Sequence, residues 1–89
     1  MTTQFTTPVT PDRIDAELDA SGLLCPLPVY RAGLALGQLT NGQVLRLVTT
    51  DPGSLEDIPA LARQRGDTLL EAQRHEDHQV FLIQKGVRP

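Results

Sequence analysis

Apolar and polar residues alternate along residues 43–49, with Val44, Arg46 and Val48 on one face and Leu45 and Leu47 on the other. That is the period-two pattern of a β-strand. Upstream, Val29, Ala32, Leu36 and Leu39 recur at helical spacing, Leu34 and Ala35 widen the stripe, and Asn41-Gly42 ends it. The pattern predicts an amphipathic helix, weakened at Gly33 by about 1 kcal/mol relative to alanine. Before it, Glu17-Leu18-Asp19-Ala20 reads as a short strand that turns at Gly22. Beyond the central strand, Asp51-Pro52-Gly53 reverses the chain, and Ser54 with Asp57 three residues on predicts an N-cap with a variant capping box. A second helix then runs to Arg65 and stops at Gly66, with an irregular first turn around Pro59. Residues 68–73 and 80–85 form a hairpin across the polar run Arg74-His75-Glu76-Asp77-His78. The order β-α-β-α-β-β predicts an α/β chain of the α+β two-layer type: a four-stranded mixed sheet with two helices on one face, each strand-helix-strand unit a right-handed crossover.

With 89 residues the chain is read as one domain over residues 15–89, preceded by a flexible tail over residues 1–14, where Thr, Pro8 and Pro11 replace any apolar period. Only three residues are aromatic, Phe5, Tyr30 and Phe81, so the core is aliphatic and stacking platforms for bases are scarce. A net charge of −3 argues against direct nucleic-acid binding, which needs a basic stripe, and points to proteins as partners. A single cysteine excludes an internal disulfide and any multi-cysteine metal site within one chain. The sequence shows no membrane-length apolar run and no signal-peptide pattern, so the expectation is a cytoplasmic monomer that does not engage membranes.

That one cysteine, Cys25, stands in Ser21-Gly22-Leu23-Leu24-Cys25-Pro26-Leu27-Pro28. Two prolines so close are tolerated together only at a helix start, so the segment reads as a loop turning into a helix. With Cys25 as N-cap, Leu24 and Val29 are placed for a hydrophobic staple, and the sulfur meets the positive end of the helix dipole, which favours the thiolate. The prolines remove two N–H donors there and limit the effect. Pro28 also disfavours helical geometry at Leu27, which allows a start one or two residues later. The bland alternative is a cysteine that only packs the helix start. In the predicted topology the Cys25 loop and the Asp51 loop both emerge at the carboxyl edge of parallel strands and are neighbours. Asp51-Pro52-Gly53-Ser54 reads first as turn and cap, with Asp51 also able to orient the Cys25 loop. His75 and His78 lie in a charged hairpin without a third ligand and read as solvated; no metal is expected. Glu56 and Asp57 read as first-turn helix charges rather than an acid/base pair.

The run from Leu18 to Val29 with its Cys-Pro-x-Pro core, followed by Asp51-Pro52-Gly53-Ser54 and Asp57-Ile58-Pro59, resembles the TusA/SirA family of sulfur-carrier proteins over about residues 17 to 86. The resemblance implies the same two-layer fold and a cofactor-free sulfurtransferase. Cys25 would accept sulfane sulfur as a persulfide from a donor protein, a cysteine desulfurase or rhodanese-like protein, and yield it to an acceptor protein. Pathways linked to the family are tRNA 2-thiouridine synthesis, dissimilatory sulfur oxidation and cofactor biosynthesis. Gly22, Pro26, Pro28, Asp51 and Pro52 are the supporting motif positions, and Arg31 and Arg74 are candidates for stabilising the thiolate. Relatives often carry Lys or Arg along the first helix, whereas here Arg31 is followed by Gly33 and Leu34. That departure implies a donor or acceptor different from those of the tRNA-thiolating members. The competing reading is a non-catalytic interaction or redox-regulatory domain. Its mark would be slow alkylation of Cys25 with a raised thiol pKa.

Overall fold

The computed structural model describes residues 14–86. The tail expected over residues 1–14 lies outside them, apart from Ile14. The element order is β1 (Ala16–Ala20), α1 (Leu27–Gly37), β2 (Val44–Thr49), α2 (Ser54–Arg65), β3 (Thr68–Arg74) and β4 (Gln79–Gln84). They form the expected four-stranded mixed sheet, in the order β1-β2-β4-β3. Strands β1 and β2 pair in parallel, with Ala20 opposite Thr49. Strand β4 lies between β2 and β3 and is antiparallel to both. The carboxyl ends of β1, β2 and β3 therefore share one edge of the sheet, and the loops leaving β1 and β2 stand side by side there.

Sequence alternation decides which face is covered. Leu45 and Leu47 of β2, Phe81 and Ile83 of β4 and Ala20 of β1 pack against Ala32 and Leu36 of α1 and Ile58 and Ala62 of α2. Both helices thus lie on one face. Phe81, Leu36, Leu45, Leu47, Ile58 and Ile83 are fully buried, each stabilising the fold by roughly 1.5 to 3 kcal/mol relative to an exposed side chain. In α1, Pro28 shares the buried face with Ala32 and Leu36. Leu34 does not widen that stripe as expected: it is 52% exposed.

The helix ends differ from expectation in ways that local chemistry explains. Helix α1 stops at Gly37 rather than at Asn41. Its last turn tightens, with Leu39 N–H donating to the Leu36 carbonyl at 3.1 Å. Lys85 Nζ, from beyond β4, then donates to the Leu36 and Leu39 carbonyls at 2.8 and 3.3 Å. A cation on the last carbonyls satisfies acceptors that the helix leaves open. Helix α2 is capped by Gly53 rather than Ser54, without a side-chain cap. Ser54 and Leu55 instead donate their N–H groups to the Asp51 and Pro52 carbonyls at 2.9 and 3.1 Å. These i→i−3 bonds make the first turn tight, and Pro59 sits one turn later inside the helix. The helix ends at Gly66 in the left-handed conformation, with Asp67 N–H reaching back to Ala62 O at 2.9 Å, as in a Schellman turn.

Where the chain returns after β4, Asp67 holds it: its Oδ1 accepts the Gly86 N–H at 2.8 Å and its Oδ2 the Arg65 Nε–H at 2.7 Å. A Cβ at Gly86 would lie 2.1 Å from the Gly66 carbonyl oxygen. Both partners are backbone, so the clash has no side chain to relax into. Gly86→Ala should therefore lower stability by about 1 to 3 kcal/mol, read as a drop in Tm by calorimetry. An unchanged Tm would show that the approach is looser than described.

Candidate functional site

The site grows out of two turns at the carboxyl edge of the sheet. After β1, Gly22 takes φ 81°, a left-handed conformation that a side chain would oppose. Leu23 N–H closes the turn on Ala20 O at 3.2 Å, and Asp19 Oδ1 accepts the Ser21 N–H at 3.0 Å. Hydrogen bonds from Ser21, first from its side chain and then from its backbone N–H, hold the Asp19 carboxyl below its usual range. The chain then runs through Cys25 to Pro26, across a cis peptide bond. Pro26 is the N-cap of α1 and Pro28 lies in its first turn. The helix thus begins at Leu27, the later start that Pro28 allowed. Cys25 directly precedes the N-cap, and the staple does not form at the expected pair: Leu24 is 70% exposed while Val29 packs against the core.

Two hydrogen bonds tie this turn to the one after β2, and a third ties it to the first turn of α2. Gly22 N–H donates to Thr50 Oγ1 at 2.8 Å, and Cys25 N–H donates to Asp51 Oδ2 at 2.7 Å. The Cys25 thiol itself donates to Asp57 Oδ2 at 3.4 Å. Asp51 also accepts the Gly53 N–H through Oδ1 at 3.1 Å, so one carboxylate holds its own turn and the cysteine backbone together. Beneath it, Gln79 of β4 is buried beside Thr49. With the orientation of its amide that suits every neighbour, its nitrogen donates to Thr49 Oγ1 at 2.9 Å and to the Asp51 carbonyl at 3.2 Å. The central strand β4 thereby anchors the loop that in turn anchors Cys25.

Cys25 is a free, exposed cysteine. Its thiol titrates above the ordinary value: the hydrogen bond to Asp57 raises it most, slight desolvation next, then the negative charges of Asp57 and Asp51. This reverses the expectation of a thiolate favoured by the helix start. The prolines thin the N–H donors at that end, and a carboxylate in contact with the sulfur outweighs a partial charge.

The other candidates spread out. Pro52 is exposed in the second turn. Arg31 is exposed on α1, and Arg74 ends β3 at the same sheet edge as Thr49. Strand β3 is two strands from β2, roughly 10 Å across the sheet. His75 and His78 stack at 4.5 Å in the hairpin and bond to Gln73 and Asp77. Among the described residues no group of three or more His, Cys, Asp or Glu side chains is arranged to hold a metal ion. No described helix is long and apolar enough to cross a membrane.

Sequence reasoning missed Asp57 as a partner of the sulfur, because first-turn acidity is what any helix start favours. It also missed Thr50 and Gln79, which carry no motif. A further feature is the placement of apolar surface. The large apolar side chains exposed among the described residues are Leu24, Leu27, Tyr30 and Leu34. Leu27, Tyr30 and Leu34 fall on one face of α1, and Leu24 adjoins the cysteine.

Comparison with known proteins places these features in context. The family model described as "Sulfurtransferase TusA" matches residues 16–85. The chain is 49% identical over 71 residues to the sulfur carrier protein TusA of Allochromatium vinosum, covering 80% of this chain and 93% of that protein. It is 42% identical over 72 residues to the putative sulfur carrier protein YrkI of Bacillus subtilis, covering 81% and 96%. The crystal structure of a SirA-like protein from Desulfitobacterium hafniense superposes with a TM-score of 0.70 at 27% identity, covering 81% of this chain and 99% of that one.

Removing the shared carboxylate tests the tie between the turns. Asp51→Ala should cost about 1 kcal/mol and speed amide hydrogen exchange at Cys25 and Gly53, while exchange in β2 and β4 stays slow. Unchanged exchange at Cys25 would contradict the role given to Asp51.

Proposed function

The chain belongs to the TusA family of sulfur carriers, and from that premise we propose that Cys25 is the carrying atom: it accepts sulfane sulfur as a persulfide and yields it to an acceptor protein without a cofactor. The observation that carries the reading is an exposed sulfur on a turn held from below by Asp51. A relay thiol has to reach a partner's cysteine, and it has to lack a second thiol nearby that would expel the sulfur as a disulfide forms. Cys25 is exposed and is the only cysteine of the chain.

The transfer conserves its atoms. Cys25 as thiolate attacks the outer sulfur of a donor persulfide, a new S–S bond forms to Cys25, and the donor's S–S bond breaks. The bonding pair leaves with the inner sulfur, which takes a proton from water. Delivery to the acceptor repeats the step with Cys25 as the departing thiolate. Gly22, Pro26, Pro28 and Pro52 shape the two turns, and Asp51 fixes the cysteine backbone, so that the sulfur meets its partner in one pose. The apolar face of Leu24, Leu27, Tyr30 and Leu34 beside the sulfur supports protein partners at this end of the molecule. Arg31, on the same helix, is placed to meet an acidic partner residue, and Arg74 to do so farther along the edge.

A cysteine that only packs the helix start would be buried, and this one is exposed. Slow alkylation alone does not separate the readings, because Asp57 slows it in either. Persulfide loading does. Incubation with a cysteine desulfurase and cysteine should add the mass of one sulfur atom, removable by reductant, to the intact protein. Cys25→Ser should take up none. An equal adduct on the serine variant, or none on the native chain, would sink the proposal.

A further inference from the structure

The sulfur of Cys25 is held by acidic groups. Asp57 of α2 receives its hydrogen bond and Asp51 of the β2–α2 turn receives the hydrogen bond of its backbone N–H. Among the described residues these two carboxylates are the charged groups that bear on the thiol. Arg31 of α1 is exposed nearby in sequence, with no hydrogen bond or ion pair to either carboxylate. The free carrier is therefore in an unusual position for a nucleophile. It is open to solvent, yet the groups around it favour the protonated, unreactive form. Something has to oppose that field when sulfur is transferred, and a positive charge brought by the partner does so at the required place. A cation beside Asp57 pairs with the carboxylate, weakens its hold on the thiol proton and favours the thiolate as the two sulfurs meet.

We propose that Asp57 sets the specificity of Cys25: its carboxylate, which accepts the hydrogen bond of the undocked thiol, reserves fast reaction for sulfur partners that present a cationic group beside their own reacting sulfur. This rests on the carrier reading for its biological meaning. The chemistry at Asp57 is measurable without it. In the step, the proton of Cys25 leaves to water as the cation docks on Asp57, the thiolate attacks the partner's sulfur, and the partner's S–S bond breaks with its electron pair on the departing thiolate. That thiolate is then protonated from water; the Cys25 sulfur is oxidised as the departing sulfur is reduced, so no external oxidant is needed.

Small disulfides of graded charge isolate the effect. The native chain is mixed at neutral pH with cystamine, which is cationic, with 2-hydroxyethyl disulfide, which is neutral, and with 3,3′-dithiodipropionate, which is anionic. Formation of the mixed disulfide is followed by intact mass. Cystamine should react fastest and dithiodipropionate slowest, after correction for the rates of the same reagents with glutathione. A spread of about tenfold or more is expected, above the roughly fivefold that unit charges about 4 Å apart give in bulk water and below the far larger effect near a protein surface. Raising the salt to about 1 M should compress the spread severalfold, because such exposed charges are screened. In Asp57→Asn the neutral disulfide should react faster than with the native chain, the spread should shrink severalfold, and the pH profile of the reaction should move down. Asp57→Glu should restore part of the charge ranking. A merely structural role for Asp57 would move stability without reordering the three reagents.

No preference for cystamine in the native chain, or a preference unchanged in Asp57→Asn, overturns the proposal. The native-chain ranking and its salt response decide the matter even if the asparagine variant does not fold. The carrier reading fails separately, if the desulfurase loads no sulfur while the charge ranking stands.

Discussion

The hydrogen bond from the Cys25 backbone to the Asp51 carboxylate is the contact on which the rest of this site depends. It spans 26 positions of sequence, and it is available only because β1 and β2 run parallel and adjacent, so that their following turns leave the same edge of the sheet. Each layer below serves that contact. The apolar residues of β2 and β4 fix the register, the buried Gln79 amide ties β4 to the Asp51 carbonyl, and the tight start of α2 brings Asp57 within reach of the sulfur. The Gly22 turn, fastened to Thr50, delivers the cysteine from the other side. The core is aliphatic and ordinary in its chemistry; its contribution to function is to hold two turns at a fixed separation.

The same arrangement settles a competition at the sulfur. A cysteine just ahead of a helix is drawn toward the thiolate by the helix end, by an interaction equivalent to a fraction of a unit charge. A full carboxylate accepting the thiol's hydrogen bond acts in the opposite sense and from closer range. The balance falls to the thiol form. For a protein whose one cysteine is exposed, that is a useful resting state, because oxidants and stray electrophiles react with the thiolate rather than the thiol. On α1, Leu27, Tyr30 and Leu34 leave an exposed apolar face on the same helix that the Cys25 turn leads into.

Much of this was legible in the sequence, for identifiable reasons. The alternation over residues 43–49 put Leu45 and Leu47 together on one face, and the fold shows that face to be the one turned to the core. Gly66 marked the end of α2 because a left-handed residue there has few substitutes. The Cys-Pro-x-Pro segment pointed to a helix start, and its neighbourhood with Asp51 followed from the topology. Leu34 was misplaced because a helical period counts an apolar residue as core whether it faces the sheet or a partner. The end of α1 was set too late, since the lysine that closes it, Lys85, arrives from 46 positions away. Ser54 looked like a cap, but the turn from Asp51 supplies carbonyls instead. Asp57 hid behind a sound local explanation: acidity suits the first turn of any helix, and only the folded chain brings that carboxylate 3.4 Å from the sulfur.

Asp57 and Asp51, set against the exposed Cys25 thiol, should leave their mark on the thiol's own titration. Cys25 enriched in carbon-13 at Cβ can be followed by NMR as a function of pH, first in the native protein and then in urea. The native inflection should lie at higher pH than the unfolded one. A native inflection at or below the unfolded value would mean that the helix end, not Asp57, governs the sulfur.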